Sequence, residues 1–191
     1  MRTLVLATLL TACGGNAPSR EPDEYVGCAT DEHWLLFDDQ ELAKKVMESS
    51  TLAPQVTAPP IGSTFAFSDK PIFHWNQDPD EAGDSGGDVP ADCPQWNLGG
   101  LSILHLPVVS GDLYDLQFSI SGAVFYRVIT SLQEWTPPAT ANRSMIDAWK
   151  TFRNRQVSLK IVRAKLLRND LPSDTYAYAA ATPFAFTVSN W

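Results

Sequence analysis

A mainly β fold is what this chain predicts: an antiparallel β-sandwich with an N-terminal helical extension and one short inserted helix. Three observations lead there. Short runs alternating apolar with small or polar residues recur from Thr64 to Val188, the two-residue period of half-buried strands. Ser121-Gly122 separates two such runs as a hairpin turn would. Proline is high at 14 residues, which favours loops and strands over long helices. With 191 residues and 44% apolar content, the chain has the size and the core material of one domain with extensions.

The N-terminus carries a different signal. Arg2 precedes the apolar run Leu4 to Leu10, and Leu10-Thr11-Ala12-Cys13 closes it before two glycines. This is the charged, apolar, small order of an export signal. The run is far shorter than the roughly 20 residues of a membrane-crossing helix. The stretch resembles a bacterial lipoprotein signal peptide ending in a lipobox. That resemblance implies cleavage before Cys13, a diacylglycerol on its sulfur and an acylated amino group. Palmitate-type chains would then hold the protein to the membrane through its N-terminal lipid. Gly14 in place of Asp implies the outer membrane of a two-membrane envelope, on its periplasmic or its outer face. Residues 1–12 are thus the expected signal peptide and 13–24 a polar tether with Pro18 and Pro22.

Residues 25–61 read as an N-terminal extension. Trp34-Leu35-Leu36-Phe37 is an apolar cluster, and the acidic Asp38-Asp39-Gln40-Glu41 after it reads as a helix start. Leu42, Val46 and then Met47 or Ala43 share a helical face, so a helix is expected at about 39–49. The Pro- and Ala-rich run from Thr51 to Pro60 ends it.

The expected sandwich domain occupies 62–191. Thr64 to Ser68 and Pro71 to Asn76 alternate as strands, with Phe73 and Trp75 on one face and His74 turned outward. A long acidic loop, Gln77 to Pro94, follows. Leu101 to Val109 contains Pro107 and is at best an edge strand. Leu113 to Ile120 alternates with Leu116, Phe118 and Ile120 together, and Val124 to Ser131 completes the hairpin. Thr136-Pro137-Pro138 breaks the pattern. Arg143 to Asn154 has helical spacing at Met145, Ile146, Trp149 and Phe152. Gln156 to Leu167 is the longest strand, and its apolar set changes parity between Ile161 and Val162, which a β-bulge would reconcile. Phe184 to Val188 is the last strand. Six or seven antiparallel strands result.

These aromatics and spacings (Phe65-x-Phe67, Phe73-x-Trp75, Tyr114-x-Leu116-x-Phe118, Val157-x-Leu159-x-Ile161, Phe184-x-Phe186-x-Val188) resemble bacterial fibronectin type III or immunoglobulin-like domains over about 62–188. The helix at 143–154 and the acidic insertion depart from that pattern. The whole resembles small bacterial envelope lipoproteins, a resemblance that implies no activity.

Three cysteines leave one odd. Lipidation of Cys13 would account for it and leave Cys28 and Cys93 as one pair, which an oxidising compartment permits to form a disulfide. Two free buried thiols are the alternative. The formal net charge of -8 argues against general nucleic-acid binding. Acidic residues crowd the chain before Arg127 and basic ones follow it.

Several stretches invite chemistry. Gly83-Asp84-Ser85-Gly86-Gly87 spells the nucleophile motif of trypsin-like proteases, with Ser85 as nucleophile. That chemistry needs a His base backed by an Asp. His33 and His74, which precede Ser85, both lack the surrounding residues of that family, and the chain is too short for its two barrels. No catalytic residue is therefore assigned. Asp78, Asp80, Asp84 and Asp88 gather oxygen donors in a flexible loop, as calcium requires. Ala82 and Val89 fall where a calcium hand needs ligands, so only a looser, weak calcium site remains, beside the simpler reading of a solvated loop. No other cofactor is expected. His33, His74 and His105 lack metal-ligand spacing. The six tryptophans read as core packing rather than a sugar platform. Arg163 and Lys165 would share a strand face, as an anion-binding or edge-protecting pair.

The functional expectation is a lipid-anchored cell-envelope protein, non-enzymatic, binding a protein or polysaccharide partner. The alternative is an enzyme or inhibitor acting on envelope polymers through acidic-loop carboxylates.

Overall fold

The computed structural model describes residues 20–38, 46–66, 70–76, 110–137, 155–168 and 176–189. Of these, 54% are strand and 8% helix, which makes the chain mainly β. The one helix among them is α1 (Asp31–Asp38). The strands are β1 (Glu24–Val26), β2 (Val46–Glu48), β3 (Gln55–Ala58), β4 (Thr64–Phe65), β5 (Phe73–Asn76) and β6 (Gly111–Ile120). They continue with β7 (Ala123–Thr130), β8 (Glu134–Trp135), β9 (Gln156–Leu166), β10 (Ala177–Ala179) and β11 (Phe184–Val188).

β6 and β7 form the expected hairpin. Ser121 and Gly122 both have positive φ, 51° and 83°, which is the backbone of a type I′ turn. β9 pairs antiparallel with β6 in unbroken register from Gly111↔Leu166 to Ser119↔Ser158. These three long strands are the centre of an eight-stranded sheet running β1-β7-β6-β9-β10-β2, with β11 on β9 and β4 on β11. A second sheet, β3-β5-β8, has three strands.

The large sheet is buried on both faces. On one face Tyr114, Leu116, Phe118, Val157, Leu159, Ile161 and Phe186 share a core with Phe73, Trp75 and Trp135 of the small sheet. Phe73 is fully buried and meets five other rings at centroid distances of 5.3 to 6.4 Å. On the opposite face Leu113, Ile129, Val162, Ala164 and Leu166 pack with Phe37, Cys28 and Ala29, under α1.

This double burial explains the parity change in β9, and no bulge occurs at Ile161-Val162. Val157, Leu159 and Ile161 serve the core shared with the small sheet, while Val162, Ala164 and Leu166 serve the core under the helix. One flat register satisfies both, because alternate residues of a strand point to opposite faces.

Three pairings are parallel: β1 on β7, β2 on β10 and β4 on β11. The all-antiparallel expectation therefore fails at the margins, and the mixed sheet fits immunoglobulin-like topology poorly. The sheet is open, not a closed barrel. The physical reason lies in connectivity. Strands joined by tight turns must be antiparallel, but these short N-terminal strands reach their partners over long excursions and can lie in either direction.

The N-terminal segment also differs from its expected helical extension. The helix covers Asp31–Asp38 and so contains Trp34 to Phe37. Thr30 precedes it: its N–H donates to His33 Nδ1 at 3.0 Å and its carbonyl accepts the His33 N–H at 3.1 Å, and Asp31 and Glu32 suit the positive end of the helix dipole. His33 and Phe37, one turn apart, are its buried residues. Of the helix expected at about 39–49, Val46–Glu48 is instead strand β2, paired with Ala177–Ala179. An edge strand of three residues can use Val46 inward and leave Met47 exposed, and helical spacing does not distinguish that from one turn of helix. Residues 25–61 contribute strands to both sheets. The expected strand at 101–109 and the expected helix at 143–154 lie outside the described residues.

Gly27 makes the turn from β1 to α1. Its φ is +68°, and a Cβ there would stand 2.5 Å from Ser131 Oγ. That hydroxyl accepts the Cys28 N–H at 2.9 Å, so glycine is needed both for the backbone and for the approach.

Candidate functional site

The outer edge of β9 is shared by two strands in line. Gln156 to Leu159 pair with β11, and Val162 and Arg163 pair with β10. Lys160 and Ile161 fall between, and there the chain opposite runs through Ala180-Ala181-Thr182-Pro183 instead of pairing. Proline has no N–H to give to a ladder, which favours such a departure. A cavity of about 360 Å³ opens at this gap. Pro54, Val56, Ile61, Leu159, Ile161 and Phe184 form apolar walls; Gln55, Lys160 and Thr182 supply the polar groups. Lys160 is the one charged residue among the described lining residues. The loop bearing Ile61 is fixed by the Gly62 N–H, which donates to the Ala185 carbonyl at 2.9 Å. Ile61 itself is 74% exposed at the mouth.

A second polar centre holds the N-terminal strand. Arg127 and Asp115 form a buried, bidentate pair, with Nε to Oδ1 at 2.8 Å and Nη2 to Oδ2 at 2.7 Å. Gln117 donates to the same carboxylate at 2.7 Å. Arg127 Nη1 also donates to the Arg20 carbonyl at 2.8 Å, and its backbone N–H donates to Asp23 Oδ2 at 3.0 Å. Asp23 further bonds Arg20 through its side chain. Arg20 and Asp23 are thus tied to β6 and β7 by a clasp centred on Arg127.

Beside it, Glu24 Oε2 accepts two hydrogen bonds, from Tyr126 Oη and Trp135 Nε1, each at 3.1 Å. Burial raises the Glu24 pKa, and the two hydrogen bonds offset this only in part. Burial also pushes the Tyr126 hydroxyl up, with the Glu24 charge adding to the effect. A raised carboxyl pKa means that the folded state holds the proton more tightly than the unfolded one. Below the ordinary value of 4.5 both states are protonated and Glu24 costs nothing; as pH rises through its folded pKa, stability falls. Glu24→Gln keeps an oxygen acceptor and cannot ionise. Its melting temperature is expected to gain on that of the parent between pH 4.5 and neutrality, measured by calorimetry across that range. A constant difference would remove the ionisation of Glu24 as the cause.

The residues singled out in the sequence scatter. Cys13, Cys93, Asp78, Asp80, Asp84, Asp88, Ser85 and His105 lie outside the described residues. No disulfide joins two described residues. Cys28 is buried and is not a free thiol; its partner lies outside the described residues. His33 is buried in α1, whereas His74 turns outward and lies 3.4 Å from Glu134. Among the described residues no group of three or more His, Cys, Asp or Glu could hold a metal. Arg163 does not form a cationic face with Lys165. It is buried, donating to Asp112 at 2.8 Å and to the Leu52 carbonyl at 3.4 Å, while Lys165 is exposed. Trp75 and Trp135 are core residues and Trp34 is partly buried, so these three form no exposed platform.

The cavity and the clasp are not evident in the sequence. Two signals point toward the clasp: Asp115 within the alternating run of β6 and Arg127 within that of β7, each charged where a strand is covered on both sides. No family model, curated protein or solved structure matches the chain. Among the described residues no helix is long and apolar enough to cross a membrane.

Proposed function

We propose that this chain is a non-catalytic binding module of the bacterial envelope, exported and anchored by lipid at Cys13. The observation that carries the binding reading is the cavity at the gap in β9. Its volume of about 360 Å³ is that of a small-ligand site, and its described lining is apolar with one charge, Lys160. The anchor reading rests on Arg2, the apolar run and Leu10 to Cys13. The clasp on Arg20 and Asp23 suits it, because a domain anchored through its N-terminal side needs the residues nearest that anchor held firmly. We read the two facing sheets as a sandwich variant with a helix on its outer face, not as a fibronectin or immunoglobulin topology.

Two measurements test the anchor and its compartment. Cys13→Ala is expected to lose palmitate labelling and to move the protein from the detergent-soluble membrane fraction to the aqueous one. Retained label would end the lipid assignment. Peptide mapping without reductant is expected to link Cys28 to Cys93, a bridge that closes 65 residues and contributes on the order of 4 kcal/mol. A Cys28–Cys13 link would overturn both claims together.

A further inference from the structure

The cavity in the β9 edge combines three features with a common chemical meaning. Its walls are apolar: Val56, Ile61, Ile161 and Phe184. Its described lining has no acidic residue, in a chain whose net charge is -8. Its one charge, Lys160, is half-buried and forms no ion pair among the described residues. Lysine is mostly exposed in folded proteins and is seldom buried without a partner. Lys160 and Ile161 pair with Gln117 and Leu116 of β6, and on the outer side of β9 neither β10 nor β11 pairs with them. Edge backbone offers an N–H and a C=O to whatever lies against it.

We propose that this cavity binds a small amphipathic anion: an aliphatic body among Val56, Ile61, Ile161 and Phe184, and a carboxylate or similar head at Lys160. The aliphatic body is set by area. Apolar walls return free energy in proportion to the apolar surface they remove from water. The head is set by charge. Lys160 alternates with Leu159 and Ile161 and so leaves the strand on the other face; its flexible stem would reach round the gap to the cavity mouth, where a carboxylate keeps part of its hydration while it gains the ion pair. Thr182 and the backbone at the gap supply the neighbouring hydrogen-bonding groups. The inference rests on the binding-module reading and narrows it to one ligand class.

The test uses the full chain as the Cys13→Ala variant, so that no acyl group competes. Octanoate and octan-1-ol are the probes, followed by titration calorimetry and by amide shifts in 15N-labelled protein. Saturable octanoate binding with shifts at Ile61, Lys160 and Thr182 is expected, about tenfold tighter than octan-1-ol. Lys160→Gln, a half-buried edge change, should remove that advantage and leave octan-1-ol unchanged. Ala180→Trp, which fills the cavity, should abolish both. Equal binding of the two probes in the cavity would overturn the anionic ligand and leave the binding reading standing. Binding of neither probe would overturn both. Binding that survives Ala180→Trp with the protein still folded would place the ligand elsewhere and overturn the site.

Discussion

Arg127→Met should destabilise the protein by about 3–5 kcal/mol, because it leaves Asp115 buried without its cation. Asp115 is 1% exposed and Arg127 3% exposed, so water cannot replace the lost partner. Gln117 alone would remain on the carboxylate. The substitution also strips the Arg20 carbonyl of its donor, so the clasp opens as well. Urea denaturation measures the first effect, and limited proteolysis between residues 20 and 28 measures the second. The pair itself contributes less than its breakage costs, since two desolvated charges recover only part of their hydration. Arg127→Met combined with Asp115→Leu is therefore expected to regain much of the loss. A single variant as stable as the parent would show that the pair is dispensable, and a double variant no better than the single one would show that charge is not the reason.

Phe73→Ala comes next, at about 3–5 kcal/mol from lost burial and the cavity left behind. Its ring is fully buried and touches Phe65, Phe118, Trp135, Phe184 and Phe186. Phe73→Leu keeps most of the apolar volume and should cost less than half as much. Denaturant midpoints rank the variants, and the near-ultraviolet circular dichroism of Trp135, centroid 5.9 Å away, is expected to weaken in Phe73→Ala. Equal stability of Phe73→Ala and Phe73→Leu would mean that the surrounding rings close the gap.

Much of the strand content is legible in the sequence, because alternation is a local property. Leu116, Phe118 and Ile120 share a face as their spacing requires, Phe73 and Trp75 do likewise, and Ser121-Gly122 adopts the turn that its glycine permits. What local pattern cannot carry is the partner of each face. The second apolar set of β9 reads as a bulge when only one face is assumed to be covered; it marks the helix packed on the other side. The short strands β1, β2, β3, β8 and β10 hold two to four residues each, too few for a period to show. Their places come from backbone pairing with distant segments, as Val46 with Ala177 illustrates. The candidate site is less legible still. Its cavity exists because β10 and β11 leave a gap on one strand, a fact of register between residues far apart in sequence. Lys160 in a strand edge gives no hint that apolar walls stand beside it.

The clasp has a mechanical side. In a chain anchored as proposed, a pull from the N-terminal side would reach the domain at Arg20 and Asp23, upstream of the three-residue ladder of β1. Arg127 receives that tension at its guanidinium and its own N–H, then passes it through Asp115 to β6, a central strand of the large sheet. Force applied from a membrane would therefore be carried by the middle of the sheet and spread along its two longest neighbours, while the short outer strand stays relaxed.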